Sequence, residues 1–250
     1  QGFVAGAVEQ GIAKKWWPAI ADTTHPRWIG NLGMNTVPKL LAENCHVLNE
    51  KKVVRIEEVN DAWKVYTEDS ATYTASALLV TNPAPQALEL LDNSGIHLPE
   101  NPLAQISYHP CFAVLATMDG PTSIPAPGGI QANGAVVSWL ADNLKKGISK
   151  SPAVTLHASP EFSKKHLDSD LQTVGRMMIE SVAEFLKPAS VVDWQIHRWR
   201  YSLAYERHPA PYFKAQTNTP LYFGGDGFGM GNVEGAYVSG LAMAKKLLED

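Results

Sequence analysis

The sequence Thr219-Pro220-Leu221-Tyr222-Phe223-Gly224-Gly225-Asp226-Gly227-Phe228-Gly229-Met230-Gly231-Asn232-Val233-Glu234-Gly235-Ala236 holds a strand, a turn and a helix start within eighteen residues. The apolar run Leu221 to Phe223 predicts a short buried strand. Gly224 and Gly225 end it and permit close backbone approach. Asp226 follows as a lone carboxylate, and a glycine-rich turn leads to a helix over 233–249. Such an arrangement presents one carboxylate and several free helix N–H groups to one ligand. Two readings of Asp226 stay open: a loop or N-cap aspartate, or an acceptor for the hydroxyls of a polyol. The glycines divide in the same way, between a tight turn and a close ligand.

Working outward, the helix carries Ala236, Gly240 and Ala244 at i, i+4 spacing. This predicts a face that presses against another backbone. Upstream, Ala77 to Val80 is continuous and apolar and ends at Thr81-Asn82-Pro83, as expected of a parallel strand buried on both faces. A short helix is expected over Gln86 to Leu91. Lys52 to Val59 and Trp63 to Thr67, joined at Asn60-Asp61, predict a hairpin, with further strands at Cys45 to Leu48 and around Tyr73. At the start, Gly2 to Trp17 has helical spacing, weakened by Gly11. Trp16-Trp17 before Pro18 fits either core packing or the wall of a planar-ligand pocket. Trp28 to Gly30 predicts a strand, and a helix to about Glu43 follows with Asn35 or Thr36 as cap.

The middle of the chain changes character. Strands are expected over Cys111 to Met118, Ala135 to Leu140 and Ala153 to His157, then a helix over Asp168 to Leu186 and a long strand over Val191 to Leu203. Together these predict an α/β chain: a parallel-type sheet region plus a mixed sheet with a helical cover. The expected divisions are 1–30, 31–94, 95–213 and 214–250. On the last long strand, alternation places His197, Trp199 and Tyr201 on one face and Arg198 and Arg200 on the other. That face is either half-buried strand surface or the wall of a substrate space.

The totals exclude some functions. Across 250 residues, Lys+Arg 21 against Asp+Glu 25 gives a net charge of −4, which is no footprint for nucleic acid or anionic membrane. Cys45 and Cys111 read as reduced thiols, so a reducing, cytoplasmic setting is expected. No apolar run reaches the roughly 20 residues of a spanning helix. The start of the chain lacks the features of a signal peptide. The eight histidines form no metal-ligand pattern, so no metal is expected. There is no Gly-x-Ser-x-Gly elbow. Lys145-Lys146 and Lys164-Lys165 are expected on solvated faces.

The order strand, Gly-Gly-Asp, glycine turn, Val-Glu-Gly-Ala and small-faced helix resembles the C-terminal FAD motif of the amine-oxidase and renalase-like flavoproteins. Trp28 to Asn35, Lys52 to Ile56, Leu78 to Pro85 and His197 to Tyr201 resemble other stretches of the renalase-like branch. The resemblance is weak between Asp119 and Lys150. It implies an amine-oxidase (PHBH-like) architecture with a Rossmann-like FAD-binding sheet and a mixed-sheet substrate domain. It also implies FAD contacts at Val53, Thr81, Gly225, Asp226, Val233, Glu234, Gly235 and Ala236. Trp199 and Tyr201 would wall the space over the flavin, and His197 would orient a substrate group. The flavin performs the hydride chemistry in this class. A helix N-terminus at its pyrimidine edge is worth up to about 2 kcal/mol, roughly 40 mV for a two-electron couple.

One departure stands out. The family's Gly-x-Gly-x-x-Gly turn, which cradles the FAD pyrophosphate, occurs nowhere in these 250 residues. The expectation is a chain without the first nucleotide-binding unit, with an incomplete parallel sheet, Thr81 and Val53 facing a gap and FAD affinity much reduced unless another chain supplies the missing strand. The implied activity is hydride transfer to flavin from a dihydronicotinamide-type or amine compound, the former preferred, with molecular oxygen as acceptor and hydrogen peroxide as product. A flavin amine oxidase or desaturase-type enzyme is the second reading. The third is a remnant that holds no FAD and self-associates through open sheet edges.

Overall fold

The computed structural model describes residues 2–16 and 27–249. Trp17 and Pro18, for which a pocket-wall role was considered, lie outside the described residues. In chain order the elements are α1 (Gly2–Glu9), β1 (Ala13–Lys15), β2 (Trp28–Gly30), α2 (Thr36–Leu41), β3 (Val53–Val59), β4 (Ala62–Thr67), β5 (Thr72–Ala75), β6 (Leu78–Val80), α3 (Ala84–Ser94), β7 (Ser107–Met118), β8 (Gly129–Gln131), β9 (Val137–Asp142), β10 (Ala153–Ala158), α4 (Pro160–Lys165), α5 (Leu171–Ser181), α6 (Ala183–Leu186), β11 (Val191–Glu206), β12 (Phe213–Lys214), β13 (Leu221–Phe223) and α7 (Asn232–Glu249). The architecture is α/β with mixed sheets. It divides into two compact units, residues 1–47 with 110–200, and residues 48–109 with 201–250.

The first unit is built on a sheet of order β11-β7-β10-β9-β8. Alternation on β7 sends Phe112, Val114, Ala116 and Met118 to one face, and Val154 and Leu156 of β10 join them. The amphipathic helix α5 covers that face with Val174 and Met178, and Val182 and Leu186 extend the same core. Asp170 caps α5 by accepting a hydrogen bond from the Thr173 N–H at 3.1 Å. The expected single helix over 168–186 is interrupted at Val182, where φ is −121°. The expected helix over 2–17 stops at Glu9; Gly11 turns the chain at φ +69°, and residues 13–15 pair with β2 instead. Trp16 is buried, its indole meeting Trp139 edge-on at 5.9 Å.

Lys164 and Lys165 are exposed as expected, whereas the exposed Lys145 and the half-buried Lys146 are both engaged by the protein. Lys145 Nζ donates to the carbonyls of Thr122 and Ile124, each at 2.6 Å, and stands 3.8 Å from the buried Asp142 carboxylate. Lys146 lies over the Trp16 ring at 4.3 Å. Buried carbonyls and an indole face recruit the cations where sequence alone shows only charge.

The second unit holds two small sheets. One is β3-β4-β5, an antiparallel meander whose first turn uses Asn60 and Asp61 at φ +51° and +58°. The stretch 45–48, expected as a strand, forms none. The other sheet has the order β12-β13-β6, with β13 and β6 parallel in the register Leu221↔Leu78, Tyr222↔Leu79, Phe223↔Val80. Leu221 and Phe223 pack with Ile56, Trp63, Ala87 and Leu91, and Trp63 Nε1 donates to the Pro220 carbonyl at 3.1 Å. Helix α3 ends at Gly95 in the left-handed conformation, φ +68°.

Expected burial fails at β6 in an informative way. All three residues of β13 are buried, whereas Leu79 of β6 is 39% exposed. Among the described residues β6 pairs on one edge only. A continuous apolar run therefore marks a strand that this chain covers incompletely.

Candidate functional site

The site is built at the C-terminal end of β13. The chain leaves the strand through Gly224 and reaches Gly225 at φ +112°, a conformation that favours glycine. A side chain on Gly225 would also sit 3.0 Å from the Thr81 carbonyl oxygen, so this glycine lets the two parallel strands end side by side. The Gly225 N–H donates to Ser239 Oγ of α7 at 2.9 Å. The turn is pinned further by His208, whose N–H donates to the Gly227 carbonyl at 3.0 Å and whose carbonyl accepts from Gly229 at 2.8 Å.

Asp226 stands at the head of this turn, half-buried. Burial pushes its carboxyl above the ordinary aspartate range, while the Tyr108 hydroxyl and the backbone N–H groups of Asp226 and Gly227 act in the opposite direction. Burial dominates, so the acid is held partly desolvated with a fixed set of donors around it. Tyr201 meets Tyr108 edge-on at 5.9 Å, and the Tyr108 oxygen lies against Gly227 of the turn.

Helix α7 starts at Asn232, itself at φ +57°. Val233 and Glu234 are exposed in its first turn, Gly235 is buried and Ala236 is half-buried. The buried row of the helix is Gly235, Ser239 and Met243, one position earlier than the expected row of Ala236, Gly240 and Ala244. A side chain on Gly240 would meet open space, and Ala244 is exposed. Ser239 fixes this rotation of the helix through its bond to Gly225.

Val53 and Thr81 line a cavity of about 510 Å³ beside β6, together with Leu79, Gln86, Glu89 and Asn93. Its lining combines apolar side chains with amide and carboxylate groups, the mixture expected of a small-molecule site.

His197 and Trp199 lie on β11, both exposed, with ring centroids 6.3 Å apart. On the opposite face of the strand Arg198 donates to the Ser169 carbonyl at 2.6 Å, and Arg200 pairs with Asp168 at 2.8 Å. Of the residues singled out from sequence, the second unit gathers Thr81, Gly225 and Asp226, and sets Val53 and Thr81 on one cavity. Tyr108 escaped notice, and Ser239 stood out in the sequence only as a small residue adjacent to the expected helix face. Tyr108 sits in an apolar-alternating strand and Ser239 in a helix, so only the contacts they make in the fold distinguish them.

The sequence profile described as flavin containing amine oxidoreductase matches residues 6–248. The chain belongs to that family. Mouse renalase is 24% identical over 218 residues, covering 78% of this chain and 60% of that protein. Among solved structures, a candidate protoporphyrinogen oxidase from Exiguobacterium sp. 255-15 superposes with a TM-score of 0.63 at 16% identity, over 92% of this chain and 54% of that one. Putrescine oxidase, determined with putrescine bound, gives 0.61 at 17% identity, over 89% and 54%. The flavin amine oxidoreductase fold is thus shared with both. The chain spans between half and two thirds of the length of these relatives.

Proposed function

We propose that this chain carries part of the FAD site of a renalase-like oxidoreductase. Asp226 carries the proposal: a half-buried carboxylate at the end of β13, followed by a glycine turn and a helix start. A flavin's ribityl chain offers hydroxyl donors, and Asp226 retains acceptor capacity beyond the Tyr108 hydroxyl. The first turn of α7 places positive dipole next to the same turn, suited to the electron-rich edge of a reduced flavin. The cavity at Val53 and Thr81 has volume and polarity for the adenosine end. Gly225 closes against the Thr81 carbonyl, and Thr81 also lines the cavity, so the turn and the cavity adjoin.

FAD held there would supply a two-electron acceptor, with molecular oxygen reduced to hydrogen peroxide as the final acceptor. The chain's own residues bind and orient. Asp226 fixes the polyol, and Val233, Glu234, Gly235 and Ala236 present backbone at the helix start. Trp199 and Tyr201 offer aromatic walls to a planar substrate, and His197 a polar contact. The similarity to renalase favours a dihydronicotinamide-type substrate over a simple amine.

The test is a flavin titration of the 250-residue chain, followed by a panel of dihydronicotinamide isomers and amines with peroxide detection. Saturable flavin uptake with peroxide formed from the dihydronicotinamides is expected. Turnover of amines alone would replace the substrate assignment, and no uptake at excess FAD would overturn the site.

A further inference from the structure

We propose that Tyr108 is a positioning residue for Asp226: its hydroxyl bridges the first turn of α3 and the carboxylate, and fixes the orientation in which Asp226 meets a ligand hydroxyl. The inference rests on the FAD reading for its ligand, and on the fold alone for the bridge.

The hydrogen-bond inventory assigns the protons. A phenol has one donor and accepts through its lone pairs. The Ala84 N–H points at the Tyr108 oxygen at 3.4 Å and can only donate. The hydroxyl proton is therefore left free, and the oxygen lies against Gly227, the neighbour of Asp226, whose carboxylate acts on the phenol. Pro83, which precedes α3, provides no side-chain cap, so the phenol takes that place at the helix start. A side chain on Gly227 would come within 2.6 Å of the Tyr108 oxygen, so glycine at this position is what lets the phenol slide under the turn. The Tyr201 edge contact holds the ring from the other side. These contacts set one rotamer for Tyr108 and, through its proton, one orientation for Asp226. The reading of Asp226 from sequence, drawn from its glycines and the following helix start, is thereby extended by a residue more than a hundred positions away.

The experiment uses Tyr108→Phe, which keeps the ring and its Tyr201 contact and removes the oxygen. First, the Asp226 carboxyl is titrated by carbon NMR in the chain without flavin. A donor to the charged form lowers a carboxyl pKa, so its loss is expected to raise the Asp226 midpoint. The other titratable groups around this turn are Arg207, bonded to the Gly229 and Ala204 carbonyls, and His208, packed on Phe228; both are common to parent and variant. An unchanged midpoint would overturn the proposal whatever flavin does. Second, FAD affinity is compared for the parent, Tyr108→Phe, Asp226→Asn and the double variant. A loss of about tenfold is expected for Tyr108→Phe, with little further loss when it is added to Asp226→Asn. If Asp226→Asn leaves affinity intact, the FAD reading fails and the NMR result still judges the bridge. If Asp226→Asn weakens binding and Tyr108→Phe does not, the positioning role fails alone.

Discussion

β13 and β6 are neighbours in one sheet, parallel and in register, and both are apolar runs, yet they differ in how far the chain covers them. Tyr222 is fully buried, and its partner Leu79 is 39% exposed. β13 is flanked by β12 on one side and β6 on the other, whereas among the described residues β6 is paired on one side and bordered by the cavity. Apolar composition sets what a strand can bury, and its neighbours decide what it does bury. The site divides along the same line: the closed strand aims Asp226 and its turn, and the open strand provides room.

The largest expected effect lies on the closed strand. Leu221→Ala removes a fully buried side chain from a core shared with Ile56 and Trp63. Such truncations cost about 2–5 kcal/mol, read as a shift in the chemical unfolding midpoint. Equal costs for Leu221→Ala and Leu79→Ala would erase the contrast between the strands.

Next comes the turn where the two strands end. Gly225→Ala forces a side chain into φ +112° and against the Thr81 carbonyl. Backbone strain of this kind costs about 1–3 kcal/mol, and FAD affinity is expected to fall with it in a flavin titration. A stable variant with parent-like affinity would show that the approach of Gly225 to Thr81 is dispensable.

Asp226→Asn separates stability from binding. Burial raises the Asp226 carboxyl in the folded chain, so the native state holds that proton more tightly than the unfolded state does. Native stability then declines as pH rises through the window between the two values. The variant lacks this decline and is expected to melt slightly higher than the parent at pH 7, by under about 1 kcal/mol given the half-exposed site. The difference vanishes at acid pH, where the parent carboxyl is neutral. Calorimetry at the two pH values reads the sign directly, and a less stable variant at pH 7 would refute it.

Much of the fold was legible because local chemistry and tertiary context agree there. The Asn60-Asp61 hairpin, the buried β13 run, the alternating β7 and β11 strands and helix α7 all follow from periodicity and turn residues. Other features depend on partners distant in sequence. Residues 13–15 join a strand because β2 offers them an edge; 45–48 find no such edge. Lys145 is drawn to the carbonyls of Thr122 and Ile124, and helix α7 takes its rotation from the bond between Ser239 and Gly225. The chain passes between the two units inside β7 and β11, and a crossing within a strand leaves no linker composition to detect. At the site, the glycines and Asp226 were visible because their local pattern is unusual. Tyr108 was not, because its role exists only once β7 stands beside the turn at Gly227.

The smallest expected effect tests whether β6 is open in solution. Leu79→Thr introduces a β-branched residue suited to a strand and removes part of an exposed apolar surface. With the side chain partly in water, the change is expected to stay within about 0.5 kcal/mol. A cost near that of Leu221→Ala would mean that something covers Leu79. Self-association through the β6 edge is the covering to check, since an unpaired edge templates further pairing. In that case the stability difference would grow with protein concentration, and size-exclusion chromatography would show the parent eluting ahead of the variant. A small cost, independent of concentration, would leave the edge free and the cavity beside Val53 and Thr81 open to a ligand.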